Sequence, residues 1–151
     1  MKELTEDGCY QVDDETFRAI ADGFAAGFCD DEATLRTIRQ VFDSSGYLCD
    51  THTAVAVRVY EDYVERTGDK TPAVVVSTAS PYKFAPSVLA AVDDDFDKEQ
   101  DAFAMVERLS ELTHTEVPQP IADLENKEVR FQNVCTKEAM GEVLLQLLDL
   151  T

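Results

Sequence analysis

No tryptophan occurs in this chain, and glycine (six residues), proline (five) and histidine (two) are sparse for 151 residues. Six scattered glycines cannot build the glycine-rich turn that wraps a phosphate at the start of a helix. Long apolar runs are missing too, and none approaches the ~20 residues that a membrane-spanning helix needs. The first residues lack the basic and apolar regions of a secretory signal, so a cytoplasmic protein is expected. Four cysteines (Cys9, Cys29, Cys49 and Cys135) show no C-x-x-C spacing, and neither histidine stands near a cysteine cluster. That argues against a metal site and for reduced, structural thiols. Cations are outnumbered: 13 Lys and Arg face 31 Asp and Glu, a net charge of −18. Such a surface repels nucleic acid and anionic membranes and favours solubility.

What is present is organised around Val74-Val75-Val76-Ser77-Thr78-Ala79-Ser80-Pro81-Tyr82-Lys83-Phe84. Three β-branched apolar residues in a row predict a strand buried on both faces, as in a parallel sheet. Pro72 suits that strand's first position, where a missing N–H costs no ladder bond. Ser77 and Thr78 then stand at the strand's end, and in open α/β sheets ligands bind outside the carboxyl ends of strands. Hydroxyls at such a position are also ordinary turn formers. Pro81 fits the first position of a helix, with Lys83 close behind it.

The length predicts one domain, residues 1–151, large enough for a real core. Cys9 to Val12 reads as a short strand. Asp13 or Asp14 caps a helix with Phe17, Ile20, Ala21 and Phe24 on one face, ended by Gly27. A second helix opens at Asp30-Asp31-Glu32, carries Leu35, Ile38, Val41 and Phe42, and stops at Ser44-Ser45-Gly46. The two form a helical hairpin with one apolar seam. After a brief extended segment, Tyr47 to Cys49, Asp50 or Thr51 caps a helix that runs to Thr67-Gly68-Asp69. Its small, apolar surface suits burial against a sheet and a second helix. Pro86 to Val92 forms a short helix closed by Asp93-Asp94-Asp95, an acidic run that reads as a solvated loop. Asp97 and Gln100 resemble a capping box for a helix bearing Phe103, Val106, Leu109 and Leu112. Thr115 to Pro120 connects onward. Phe131 to Cys135 reads as a further strand, and Thr136 caps a last helix with Met140, Val143, Leu144, Leu147 and Leu148. The expected architecture is α/β, a helix-rich layered arrangement with a short, mostly parallel sheet.

Two stretches carry a family resemblance. Asp50-Thr51-His52-Thr53-Ala54-Val55-Ala56 resembles the Asp-Pro-His-Thr-Ala-Val segment of threonine synthases of the bacterial and fungal type. Ser77 to Phe84 resembles their Thr-Ala-His-Pro-Ala-Lys-Phe segment. The separation of the two, with Thr67-Gly68-Asp69 and Pro72 between them, also matches. The pair of helices with Ala26-Gly27, Asp30-Asp31 and Thr34-Leu35 is similar to the region just upstream, and Arg130 to Cys135 is a weaker match to the C-terminal end. The resemblance implies part of a fold type II pyridoxal-phosphate enzyme that converts O-phosphohomoserine and water to threonine and phosphate. The family's cofactor-bearing lysine and its glycine-rich phosphate loop lie in upstream motifs with no counterpart here. The chain therefore reads as a C-terminal piece, inactive alone and prone to self-association through apolar faces left uncovered. A non-catalytic acidic interaction module is the competing reading.

By the same resemblance a Ser or Thr hydroxyl meets the pyridine nitrogen of the cofactor. Thr78 takes that place, with Ser77 as the neighbouring candidate, since adjacent strand residues face opposite ways. His52 is a candidate for active-site support, or a helix-start imidazole that hydrogen-bonds the backbone. Lys83 is a candidate for attracting a phosphate, or a solvated lysine. Two departures stand out: Thr51 replaces the family's proline, and Ser80 replaces its histidine.

Overall fold

The computed structural model describes residues 2–150, which divide into two compact units between Pro118 and Gln119. In the first unit, α1 (Lys2–Asp7) and α2 (Asp14–Gly23) precede α3 (Asp31–Ser45) and α4 (Thr51–Thr67). A 3-10 turn (Pro81–Phe84) runs directly into α5 (Ala85–Val92), and α6 (Ala102–Thr113) follows. The second unit holds α7 (Gln119–Ala122) and α8 (Met140–Leu147).

Local chemistry sets the two long helices. Asp30 caps α3 by accepting the Ala33 N–H at 2.7 Å, and Gly46 ends it with φ of 70°. Asp50 caps α4, and Gly68 ends it with φ of 69°. Glycine adopts this left-handed conformation without a Cβ penalty, so both helices stop where the sequence places a glycine.

The core is helical. α3 packs on α4 and α5, and α5 packs on α6 and on the 3-10 turn. Ile38, Ala54, Val88, Leu89 and Leu109 are buried at the centre, with Cys49 and Tyr82 beside them. Burial pushes the Cys49 thiol up to about 11, and the neighbouring Asp50 carboxylate pushes the same way. Arg39 of α3 donates through Nε to the Ala91 carbonyl at 2.7 Å, satisfying an orphan acceptor at the end of α5.

Several expectations are corrected. The α/β class fails: there is no strand and no sheet among the described residues. Val74 to Thr78 carries no regular structure, and Val74 and Val76 are 89% and 71% exposed. A strand must place its backbone N–H and C=O groups on a neighbouring backbone, and this stretch has none beside it. Cys9 to Val12 and Phe131 to Cys135 form no strand for the same reason. α2 ends at Gly23 rather than Gly27, and its Phe17 and Ile20 stay exposed, so no buried hairpin seam forms. Gly27 serves instead as a close-approach point: a Cβ there would lie 2.8 Å from Cγ1 of Val59 in α4. Asp101, not Asp97, caps α6. Thr136 does not cap α8, whose N-cap position is Ala139. The acidic run after α5 is not simply solvated, because Asp93 is buried and accepts from Arg108 Nε at 2.8 Å.

Candidate functional site

The start of α4 and the 77–84 stretch meet. Asp50 is fully buried and accepts from the His52 N–H at 2.9 Å and the Thr53 N–H at 3.4 Å. Its second oxygen accepts the Thr53 hydroxyl proton, and the Thr53 and Ser77 hydroxyls lie 3.1 Å apart. Thr53 has one proton and gives it to the carboxylate, so Ser77 is the donor between the two hydroxyls. Next to this chain, the His52 and Phe84 rings stack at a tilt with centroids 4.9 Å apart. Two segments 24 residues apart in sequence are thus joined by a hydroxyl pair and a ring pair.

The electrostatics follow from that wiring. Burial opposes ionisation of Asp50, but hydrogen bonds from Thr53 and His52 outweigh it and hold the carboxyl below its ordinary range. His52 Nδ1 lies 3.2 Å from Asp50 Oδ1, and a carboxylate only accepts, so Nδ1 carries the proton.

Each predicted residue can now be placed. Ser77 is tied to Thr53. Thr78 is exposed, and no hydrogen bond among the described residues engages its hydroxyl. Lys83 is exposed on the 3-10 turn. His52 joins the corner through Asp50 and Phe84, while its side chain is 65% exposed. Ser80, where the family's histidine was expected, caps the turn by accepting the Tyr82 N–H at 3.3 Å. Thr51, at the expected proline, takes the first position of α4 and places its hydroxyl 3.4 Å from His52 Nδ1.

Two residues escaped the sequence reading. Tyr82 is buried and donates to the Thr115 carbonyl at 2.9 Å, anchoring the turn to the chain beyond α6. Thr53 stood within the family motif with no role of its own, yet it links Asp50 to Ser77. A hydroxyl three residues after a capping aspartate was the available signal. A cleft of about 600 Å³ opens beside this corner, between the first turns of α3, α4 and α5. It is lined by Cys29, Thr34, Thr51, His52, Ser87 and Phe96, and neither Ser77 nor Thr78 borders it. Of the predicted residues, His52 reaches the cleft.

Comparison with known proteins bears on the same residues. The family model for the C-terminal part of threonine synthase matches residues 53–143. The chain is 34% identical over 84 residues to threonine synthase-like 1 of Homo sapiens, covering 55% of this chain and 11% of that protein. It is 34% identical over 92 residues to threonine synthase of Saccharomyces cerevisiae, covering 58% of this chain and 18% of the other. With threonine synthase of Pseudomonas aeruginosa it shares 30% over 116 residues, 70% of this chain and 24% of the relative. The chain thus spans less than a quarter of the length of each of these relatives. The matched model covers Thr53, Ser77, Thr78 and Phe84, so the chain belongs to the threonine synthase C-terminal family.

Proposed function

We propose that the whole chain, residues 1–151, is the C-terminal portion of a pyridoxal-phosphate-dependent threonine synthase that converts O-phospho-L-homoserine and water to L-threonine and phosphate. The observation that carries the reading is the Thr53–Ser77 and His52–Phe84 pairing, which assembles both family motifs into one corner.

The residues present fit one end of the cofactor. A neutral hydroxyl suits a pyridine nitrogen, and Thr78 offers one that is exposed and unengaged among the described residues. No glycine-rich turn is at hand for the phosphate, and Lys83, the lysine of this corner, lies on an exposed turn. When bound, the cofactor supplies an electron sink for carbanion chemistry. Thr78 would hold its ring nitrogen by a hydrogen bond that leaves the nitrogen less protonated than a carboxylate would. Ser77 would brace that residue from the side of α4, and His52 would fill the edge against Phe84. The lysine and the phosphate cradle belong to the rest of the enzyme, so the chain alone is inactive.

The four cysteines are free, which suits the reducing cytoplasm as the proposed compartment. None of the helices among the described residues is long and apolar enough to cross a membrane. A second reading, a non-catalytic acidic interaction module, draws on the exposed Val74 and Val76.

A chimera separates the two readings. Replacing the matched segment of the yeast threonine synthase by this chain should preserve cofactor binding and phosphate release. In that chimera Thr78→Ser should keep most activity. Thr78→Val should lose about 2–10-fold, as expected for one net hydrogen bond of 0.5–1.5 kcal/mol. Ser77→Ala should fall between them. A folded chimera that binds no cofactor would favour the interaction module, and a dead Ser77→Ala beside a fully active Thr78→Val would exchange the roles of the two hydroxyls.

A further inference from the structure

Four helices open on an aspartate: Asp13, Asp30, Asp50 and Asp101. Three of these caps are exposed and accept backbone N–H groups, such as Thr16 N on Asp13 at 2.7 Å and Phe103 N on Asp101 at 2.8 Å, and Asp13 also accepts from the Thr16 side chain within its own first turn. Capping therefore works here without burial. Asp50 differs because it is fully buried, which carries a desolvation cost that capping alone does not require. It also uses both oxygens: one on the helix N–H groups, the other on the Thr53 hydroxyl that reaches Ser77.

The stretch that Ser77 belongs to alternates in exposure. Val74 and Val76 are 89% and 71% exposed, whereas Val75 is 37% exposed. Val75 is thus the most covered of the three valines, and two residues on Ser77 meets Thr53 of α4. Thr78 is exposed, as Val74 and Val76 are, and no hydrogen bond among the described residues engages its hydroxyl.

We infer that Asp50 is a positioning residue, which through Thr53 turns Ser77 toward α4 and so presents the Thr78 hydroxyl outward as the one available to a ligand. This goes beyond capping, and its link to cofactor binding rests on the proposed function. The carboxylate fixes the Thr53 rotamer, and Thr53 then offers its lone pairs to the Ser77 proton. With the relay cut, Ser77 has no fixed partner on α4, and the side on which Thr78 stands is no longer set.

The test uses the 151-residue chain itself, isotopically labelled, with backbone order parameters read by NMR. Three variants divide the roles. Thr53→Val removes the hydroxyl and leaves the Asp50 cap intact. Thr53→Ser restores the relay. Asp50→Ser keeps a capping oxygen but has no second one for Thr53. We expect order parameters at Ser77 and Thr78 to fall from about 0.85 to below about 0.6 in Thr53→Val and Asp50→Ser. In Thr53→Ser they should return to the parental values, while Tyr60 to Val64 of α4 stay unchanged in all three. Unchanged order at Ser77 and Thr78 in Thr53→Val would overturn the inference. So would loss of order in Thr53→Val that Thr53→Ser fails to rescue. No cofactor enters this measurement, so failure of the chimera would refute the enzyme reading and leave the relay standing or falling by itself.

Discussion

Valine behaves in opposite ways in two regions of this molecule. In α5, Val88 and Val92 are buried, whereas 12 residues before the first of them Val76 stands 71% exposed. The residue type is the same; the backbone differs. A helix satisfies its own N–H and C=O groups and needs only a facing surface, which α3 and α6 supply to α5. An unpaired stretch such as Val74 to Thr78 must find backbone partners as well as side-chain ones, and among the described residues the hydrogen bond it finds is Ser77 to Thr53. The first unit holds a buried helical core, and the stretch that meets α4 at the corner lies at that core's exposed edge.

Truncation on the two sides gives the largest expected difference. Leu109→Ala removes a fully buried side chain from between α5 and α6, and should destabilise by about 2–5 kcal/mol. Val76→Ala should stay within about 0.5 kcal/mol, as exposed positions usually do. Urea unfolding of both variants checks the pair. A cost at Val76 equal to that at Leu109 would mean the valine is packed in solution, and the contrast between the regions would collapse.

Acid probes the joint between them. Asp50 is held below the ordinary carboxylate range: burial pushes it up, but hydrogen bonds from Thr53 and His52 win. Asp93 is lowered first by the Arg108 hydrogen bond, against the opposing effect of burial. A carboxyl whose folded pKa is depressed stabilises the fold fully above its unfolded value, about 3.9 for Asp. That stability is lost as pH falls through the folded pKa. The other carboxylates repel one another, and protonating them relieves strain in the opposite sense, so the informative quantity is variant minus parent. Asp50→Asn should cost on the order of 1–2 kcal/mol at pH 7, and that cost should shrink as pH falls below the unfolded value and through the folded pKa. Circular dichroism melts between pH 7 and pH 2 give the curve. A penalty that persists undiminished at pH 2 would show that the amide disrupts packing and that the Asp50 charge is irrelevant.

The helices legible in the sequence are those whose signals are local. Asp30 with Gly46 and Asp50 with Gly68 bracket α3 and α4 because a cap and a left-handed glycine act within one turn. The Val74 to Val76 run misled because β-branched residues state a preference for extended backbone but cannot supply a neighbouring strand. Asp93 was misread for a related reason: its partner Arg108 is 15 residues away and its burial depends on the α5–α6 packing. The corner was found through motif resemblance, which brought Ser77, Thr78 and His52 into view. Its wiring through Thr53 and the Tyr82 anchor required coordinates, since both are contacts across long separations.

The smallest effect concerns the exposed side of the corner and how it meets a second copy of itself. Val74 and Val76 offer apolar area to solvent, and their contribution to folding is small by the argument above. Burying them between two chains would be favourable at roughly 25 cal/mol per Å² of apolar surface. Opposing this is a net charge of −18 on each copy. The charge acts over ~30 Å at 0.01 M salt but only ~3 Å at 1 M, whereas apolar burial is not weakened by salt. Association should therefore be absent at low salt and appear as salt rises, the reverse of an ion-pair interface. Replacing both residues (Val74→Asp with Val76→Asp) should remove the salt-induced dimer and leave the urea midpoint nearly unchanged, because neither side chain is in the core. Sedimentation velocity across the salt series reads the first effect, and the unfolding curve reads the second. A parent chain that stays monomeric at 1 M salt and high protein concentration would show that the exposed valines are too small a patch to act. A dimer that survives the double substitution would place the interface elsewhere.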